Sequence, residues 1–228
     1  MHRLFFTFIV ALAGPAQAAG DAIVNIDDAR RDERTRALKD TLTVSAETVI
    51  RRLGREDGFL RDERAHIPLP DGLTRAANGL RRFGMGRYPA ELEVNVNRAA
   101  ETAVLGLRPL LLESISQIDV VQARTAVHAD ETASQYFRRQ THSALATRFL
   151  PMVRAATRQL HVADSYQQVA GRASKVGLLR SDAANLDEYI TLKALEAVYA
   201  GMAEEERALR SPTVRQTQKA LRTASSPR

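Results

Sequence analysis

Asn97, Arg98, Glu101 and Arg108 place an amide, two guanidinium groups and a carboxylate inside a strongly apolar stretch. Asn97 and Glu101 stand four residues apart and Arg98 and Glu101 three apart, the spacings that make neighbours on one face of a helix. A carboxylate beside a guanidinium stays charged when its lone pairs are satisfied, and it can orient a cationic or hydroxyl group of a ligand. This row is therefore the candidate ligand-binding site. Glu101 is the group placed to act as general acid or base, with Arg98 or Arg138 holding an anionic group. The competing reading is architectural: the same side chains tie their helix to Arg138 or Lys193 on neighbouring helices, since structural ion-pair networks mimic sites. Lys193 is one of only four lysines, and buried it would be a functional amine.

Other chemistries are poorly supported. His66, His128, His142 and His161 contain no pair three or four apart and no HExxH, so no metal ion is expected. Cysteine is absent, which removes a thiol nucleophile, a Cys-containing zinc site and a disulfide framework. There is no G-x-S-x-G. Gly84-Met85-Gly86 has neither a preceding strand nor a following Lys-Ser/Thr, so it is no phosphate loop. No cofactor is implied.

The element that must position the polar row is a helix through LEVNVNRAAETAVLGLRPLLLESISQI, Leu92 to Ile118. At about 100° per residue, Leu92, Val96, Ala100, Ala103, Leu107, Leu110, Leu111 and Ile118 form one wide apolar face. Val94, Leu105 and Leu112 fall on nearly the opposite side. A helix apolar on two sides is usually covered on both, which predicts a central helix with the polar row hemmed in. Pro89 suits its first turn, and Pro109 predicts a kink.

Around it the chain reads as one all-α domain of about six to eight helices. A first helix is expected from about Asp27 to Leu53. Residues 54 to 70, GREDGFLRDERAHIPLP, break the periodicity, with a turn at Asp57-Gly58, core plugs at Phe59 and Leu60, and an extended Ile67-Pro68-Leu69-Pro70. Asp71 caps a short helix ending at Gly84, and Asp119 caps another through about Val127. Asp130 opens a long pattern that Pro151 should bend. A segment from Ala163 to Lys175 follows. Asn185 or Leu186 then begins a last core helix, where Asn185 and Asp187 serve as cap and dipole partners. Tyr136 and Phe137 are core candidates, and Glu204-Glu205-Glu206 reads as a solvated face.

Composition adds a compartment. Residues 1–18 have a positive start, an apolar run from Leu4 to Ala13 and an Ala16-Gln17-Ala18 cleavage site, the pattern of a secretory signal peptide. That run is too short to span a bilayer, so a periplasmic protein, not membrane-spanning after removal of the signal, is expected. Residues 19–28 read as a linker, 29–210 as the helical domain and 211–228 as a basic tail. The formal net charge is +6; Arg3 carries one of those charges, so +5 remains without the signal. An exported Arg-rich surface can meet anionic lipid, polyanionic glycan or an acidic partner. Nucleic acid is disfavoured, because no aromatic platforms interleave with the basic residues.

Several stretches also resemble one family. DGFL at Asp57–Leu60, IPLP at Ile67–Pro70, NRAAETA at Asn97–Ala103, QYFRRQT at Gln135–Thr141, RFLPMV at Arg148–Val153 and the segment Asn185–Arg210 are similar, in order, to the proteobacterial family called domain of unknown function 4197. Gln122, before Ala123, stands where the family's pattern has an acidic residue. The resemblance implies an exported, mostly helical protein and assigns no activity. The function expected is non-enzymatic binding of a small ligand or envelope partner beside the central helix. The alternatives are an enzyme built on Glu101 and a module for anionic lipid or glycan.

Overall fold

The computed structural model describes residues 16–118, 132–178 and 185–211. Among them are six helices and no strand: α1 (Ala16–Leu53), α2 (Asp71–Arg82), α3 (Arg87–Ser116), α4 (Ala133–Gln159), α5 (Val162–Lys175) and α6 (Leu186–Arg210). The all-α reading therefore holds. No helix is long and apolar enough, among the described residues, to cross a membrane. The chain divides into two compact units, Met1–Leu38 and Lys39–Arg228, and the rest concerns the second. The expected short helix after Asp119, with Gln122 and His128, and the basic tail beyond Ser211 lie outside the described residues.

Within the second unit α3 packs against α2, α4, α5 and α6, and α4 packs also against α6. The buried face of α3 carries Leu92, Val96, Leu107, Leu111 and Ile115, interleaved with Ala99, Ala100 and Ala103. Small residues there let neighbouring helices approach closely. The second apolar side of α3 is not covered as expected: Val94 is 39% and Leu105 54% exposed. The neighbours of α3 are gathered on one wide face, which leaves those positions open.

Local signals set the ends. α4 is capped by Thr132, not opened by Asp130. The Thr132 hydroxyl accepts the Gln135 N–H while the Gln135 side chain accepts the Thr132 N–H, a capping box. α2 starts after Pro70, whose carbonyl accepts the Thr74 N–H at 2.8 Å. Asp71 is thus the first helical residue and acts on the dipole instead of capping. Pro89 is third in α3, not first. α1 begins at Ala16, so the stretch 19–28, expected as a linker, is helical; no proline interrupts it.

Pro109 and Pro151 both sit inside unbroken helices, α3 and α4. Each removes one backbone donor, so the carbonyls of Leu105 and Thr147 lose their usual partner four residues on. Pro109 and Pro151 are themselves exposed, but the α3–α4 contact passes beside both. A Cβ on Gly106 would stand 2.9 Å from the Met152 sulfur, so glycine sets the spacing there.

Candidate functional site

The non-helical segment 54–70 is built to be held, and α3 holds it. Asp57 adopts a left-handed conformation (φ 63°), which turns the chain under the end of α1. Gly58 follows because nothing larger fits: a Cβ there would lie 2.4 Å from the Leu53 carbonyl oxygen. That turn drives the Phe59 ring into the core and aims two successive backbone N–H groups at α3. Phe59 and Leu60 both donate to Glu101 Oε1, each at 3.0 Å. The other oxygen, Oε2, accepts from Arg98 Nη1 at 2.7 Å. Arg98 Nη2 in turn reaches Asp57 Oδ1 at 2.7 Å, which closes a ring from α3 to the turn and back.

One helical turn earlier, Asn97 repeats the device with an amide. Ile67 N–H donates to Asn97 Oδ1 at 2.9 Å, and Asn97 Nδ2 donates to the Ile67 carbonyl at 2.9 Å and to the Glu93 carbonyl at 2.9 Å. His66 is fixed beside it, with Nε2 2.8 Å from Glu93 and Nδ1 3.1 Å from the Leu60 carbonyl. α6 fastens the same segment: the Tyr189 hydroxyl donates to the Pro68 carbonyl at 2.9 Å, and Arg64 pairs with Glu204 at 2.6 Å. A buried backbone N–H left unmade costs about 1–3 kcal/mol, so these acceptors hold a loop that has no sheet or helix to satisfy it.

The structure thus joins three of the sequence candidates, Asn97, Arg98 and Glu101, and separates the other three. Arg108 is exposed and pairs with Glu47 on α1. Arg138 is exposed on α4, while its neighbours Tyr136 and Phe137 are buried. Lys193 pairs with Glu196 at 3.0 Å on its own helix, and the Glu196 carboxylate raises its pKa. The ties expected from α3 to Arg138 or Lys193 are therefore replaced by ties to loop backbone. Glu101 takes the Phe59 and Leu60 amides, which neither helix nor sheet satisfies.

Beside the Glu101–Arg98 pair lies a shallow cleft of about 320 Å³, lined by Gly54, Arg55, Glu56, Arg98, Thr102, Leu105 and Leu160 as well as Glu101. Its polar wall is the loop turn and its apolar wall is the exposed Leu105. Among the described residues no cluster of His, Cys, Asp or Glu is suited to a metal ion.

A second buried carboxylate was not legible as such. Glu206 is 0% exposed; its oxygens accept the Ala133 N–H at 3.0 Å and the Ser134 N–H at 2.9 Å, and Arg210 donates to it at 2.5 Å. The expectation of a solvated Glu204–Glu206 face fails here. Glu206 lies four residues after Met202 on the buried stripe of α6, and that spacing was the available signal. It meets the positive end of the α4 dipole.

The family model described as a protein of unknown function (DUF4197) matches residues 28–224, most of the chain. The chain belongs to that family. No curated protein and no solved structure matches it. In this DUF4197 protein the held loop and its cleft are the features that bear on function.

Proposed function

We propose that this is an exported, non-catalytic binding protein of the cell envelope. In this reading the loop 54–70, fastened to α3 and α6, forms the fixed wall of a cleft that takes a small amphipathic ligand or a peptide segment of a partner. The helices would then be a bundle arranged around α3, with the polar row of α3 turned to the loop. The observation that carries the reading is the structural engagement of Glu101. Both its oxygens are engaged, by Phe59, Leu60 and Arg98. To take up a proton it would give up the charge on which its pairing with Arg98 and its bonds from the two loop amides depend. Acid–base catalysis by Glu101 is thereby disfavoured, while rigid presentation of the cleft is favoured. Leu105 and Leu160 suit an apolar group, and exposed Arg55 suits a neighbouring anion.

The test is native mass spectrometry of the protein purified from its own periplasm, beside a Leu105→Asp variant. A co-purifying species carried by the parent chain and lost from the variant supports the reading. A species retained by the variant, or none on the parent chain, overturns it.

A further inference from the structure

A second surface, at the far ends of α2 and α5, stands apart from the cleft. Both helices end in the same motif. In α2 the Gly84 N–H donates to the Arg81 carbonyl and the Met85 N–H to the Leu80 carbonyl, at 3.1 and 2.9 Å. In α5 the Gly177 N–H donates to the Ser174 carbonyl and the Leu178 N–H to the Ala173 carbonyl, at 3.1 and 2.8 Å. Gly84 and Gly177 are the left-handed residues, with φ 73° and 70°. These are two Schellman caps, and they lie side by side: a Cβ on Gly79, in the last turns of α2, would be 2.3 Å from Leu178.

Each cap leaves an apolar side chain outside. Phe83 is 63% exposed and Val176 39%, and Leu178 is exposed as well. Phe83 lies one turn on from Gly79, on the side where Leu178 rests. Around these three stand Arg82, Arg87, Arg172 and Lys175. None of the four has a carboxylate within ion-pair distance among the described residues, though Glu91 acts on Arg87 from farther away. Arg172 instead lies over the Tyr88 ring, 3.4 Å from its centroid, with Arg87 at 4.5 Å. Arg81 is 3.8 Å from Glu93, and Glu91 is the other nearby acid. Elsewhere the cations are commonly neutralised, as in Arg61–Asp57, Arg148–Glu113 and Arg154–Asp187. The two helix C-termini carry about half a negative charge each, too little to cancel four cations.

Exposed apolar side chains ringed by uncompensated guanidinium and ammonium groups match a membrane–water interface with anionic headgroups. There the cations meet phosphates and the apolar groups enter the acyl boundary. We propose that the paired ends of α2 and α5 dock the protein on an anionic lipid surface, with Phe83 and Val176 inserting and Arg82, Arg87, Arg172 and Lys175 binding headgroups.

Flotation of the purified protein with vesicles tests this. Vesicles of phosphatidylcholine alone are compared with vesicles containing phosphatidylglycerol. The protein should float with the anionic vesicles only, and less at high salt, because surface attraction is screened over about 8 Å at physiological ionic strength. The double variant Arg82→Gln, Lys175→Gln should bind about thirty-fold more weakly; neither side chain has a carboxylate partner, so the fold is kept. Phe83→Ser with Val176→Ser should also weaken flotation. Because the chain has no Trp, Phe83→Trp supplies a lone reporter whose emission should shift to the blue on anionic vesicles. Equal binding to both vesicle types overturns the proposal, as does an unshifted reporter. Flotation untouched by the serine pair but abolished by a soluble sulfated glycan also overturns it, and marks a polyanion site instead.

Discussion

Asn97 and Ile67 exchange hydrogen bonds through both backbone groups of one residue: the Ile67 N–H donates to Oδ1 and Nδ2 donates to the Ile67 carbonyl, each at 2.9 Å. A side-chain amide here stands in for a neighbouring strand. Asn97→Ala should therefore strip a buried N–H and a buried C=O together, and lower stability by about 2–4 kcal/mol. Urea unfolding measures it. A loss below about 1 kcal/mol would mean that the loop finds other partners.

Glu101→Ala should cost about 2–4 kcal/mol, since it leaves Arg98 short of a partner in a buried setting and frees two amides. Glu101→Gln keeps an acceptor and should cost less. Hydrogen exchange distinguishes local from global effects. The Phe59 and Leu60 amides should exchange faster in both variants, and the core of α3 should change little under native conditions.

Glu206→Gln tests the second carboxylate. Its charge faces the start of α4, where an anion contributes about 0.3–1 kcal/mol, more when partly buried. The expected loss is about 1–2 kcal/mol, with accelerated exchange at the Ala133 and Ser134 amides. Identical melting curves for parent and variant would refute the role.

Gly58→Ala should be clearly destabilising, because the methyl group meets the Leu53 carbonyl oxygen at 2.4 Å. Neither partner is a flexible side chain, so the turn itself must move, at about 1–3 kcal/mol or more. Gly72→Ala, where a Cβ meets nothing, is the control and should be neutral or stabilising.

Tyr199 supplies a pH dependence. Burial pushes its phenol up to about 12 from the ordinary 10.0, opposed in part by the Thr141 hydrogen bond. The folded state thus favours the protonated form. Its contribution is complete below about pH 10 and is lost as pH rises towards about 12, a total of about 2–3 kcal/mol. Melting temperature should fall over that interval, and the fall should be shallower in Tyr199→Phe.

The helices were readable because their apolar residues recur at helical spacing. Asn97, Arg98 and Glu101 were readable as a group because a polar row inside such a pattern must find partners. What they bind was not. Residues 59, 60 and 67 meet them through backbone N–H groups, which leave no mark in side-chain type, so side-chain types alone point to Arg138 and Lys193. Glu206 was hidden differently: two adjacent glutamates disguise the one that lies on the stripe of Met202. Leu105 misled in the opposite sense, since periodicity fixes its direction but says nothing of whether a neighbour arrives there.

Pro109 and Pro151 have a joint effect that neither has alone. Each leaves a rung missing from its own helical ladder, and the contact between Gly106 and Met152 brings the two gaps to the same height. Here two adjacent rods soften at a common level, and bending stress on the domain will concentrate in that belt before it reaches the fastened loop.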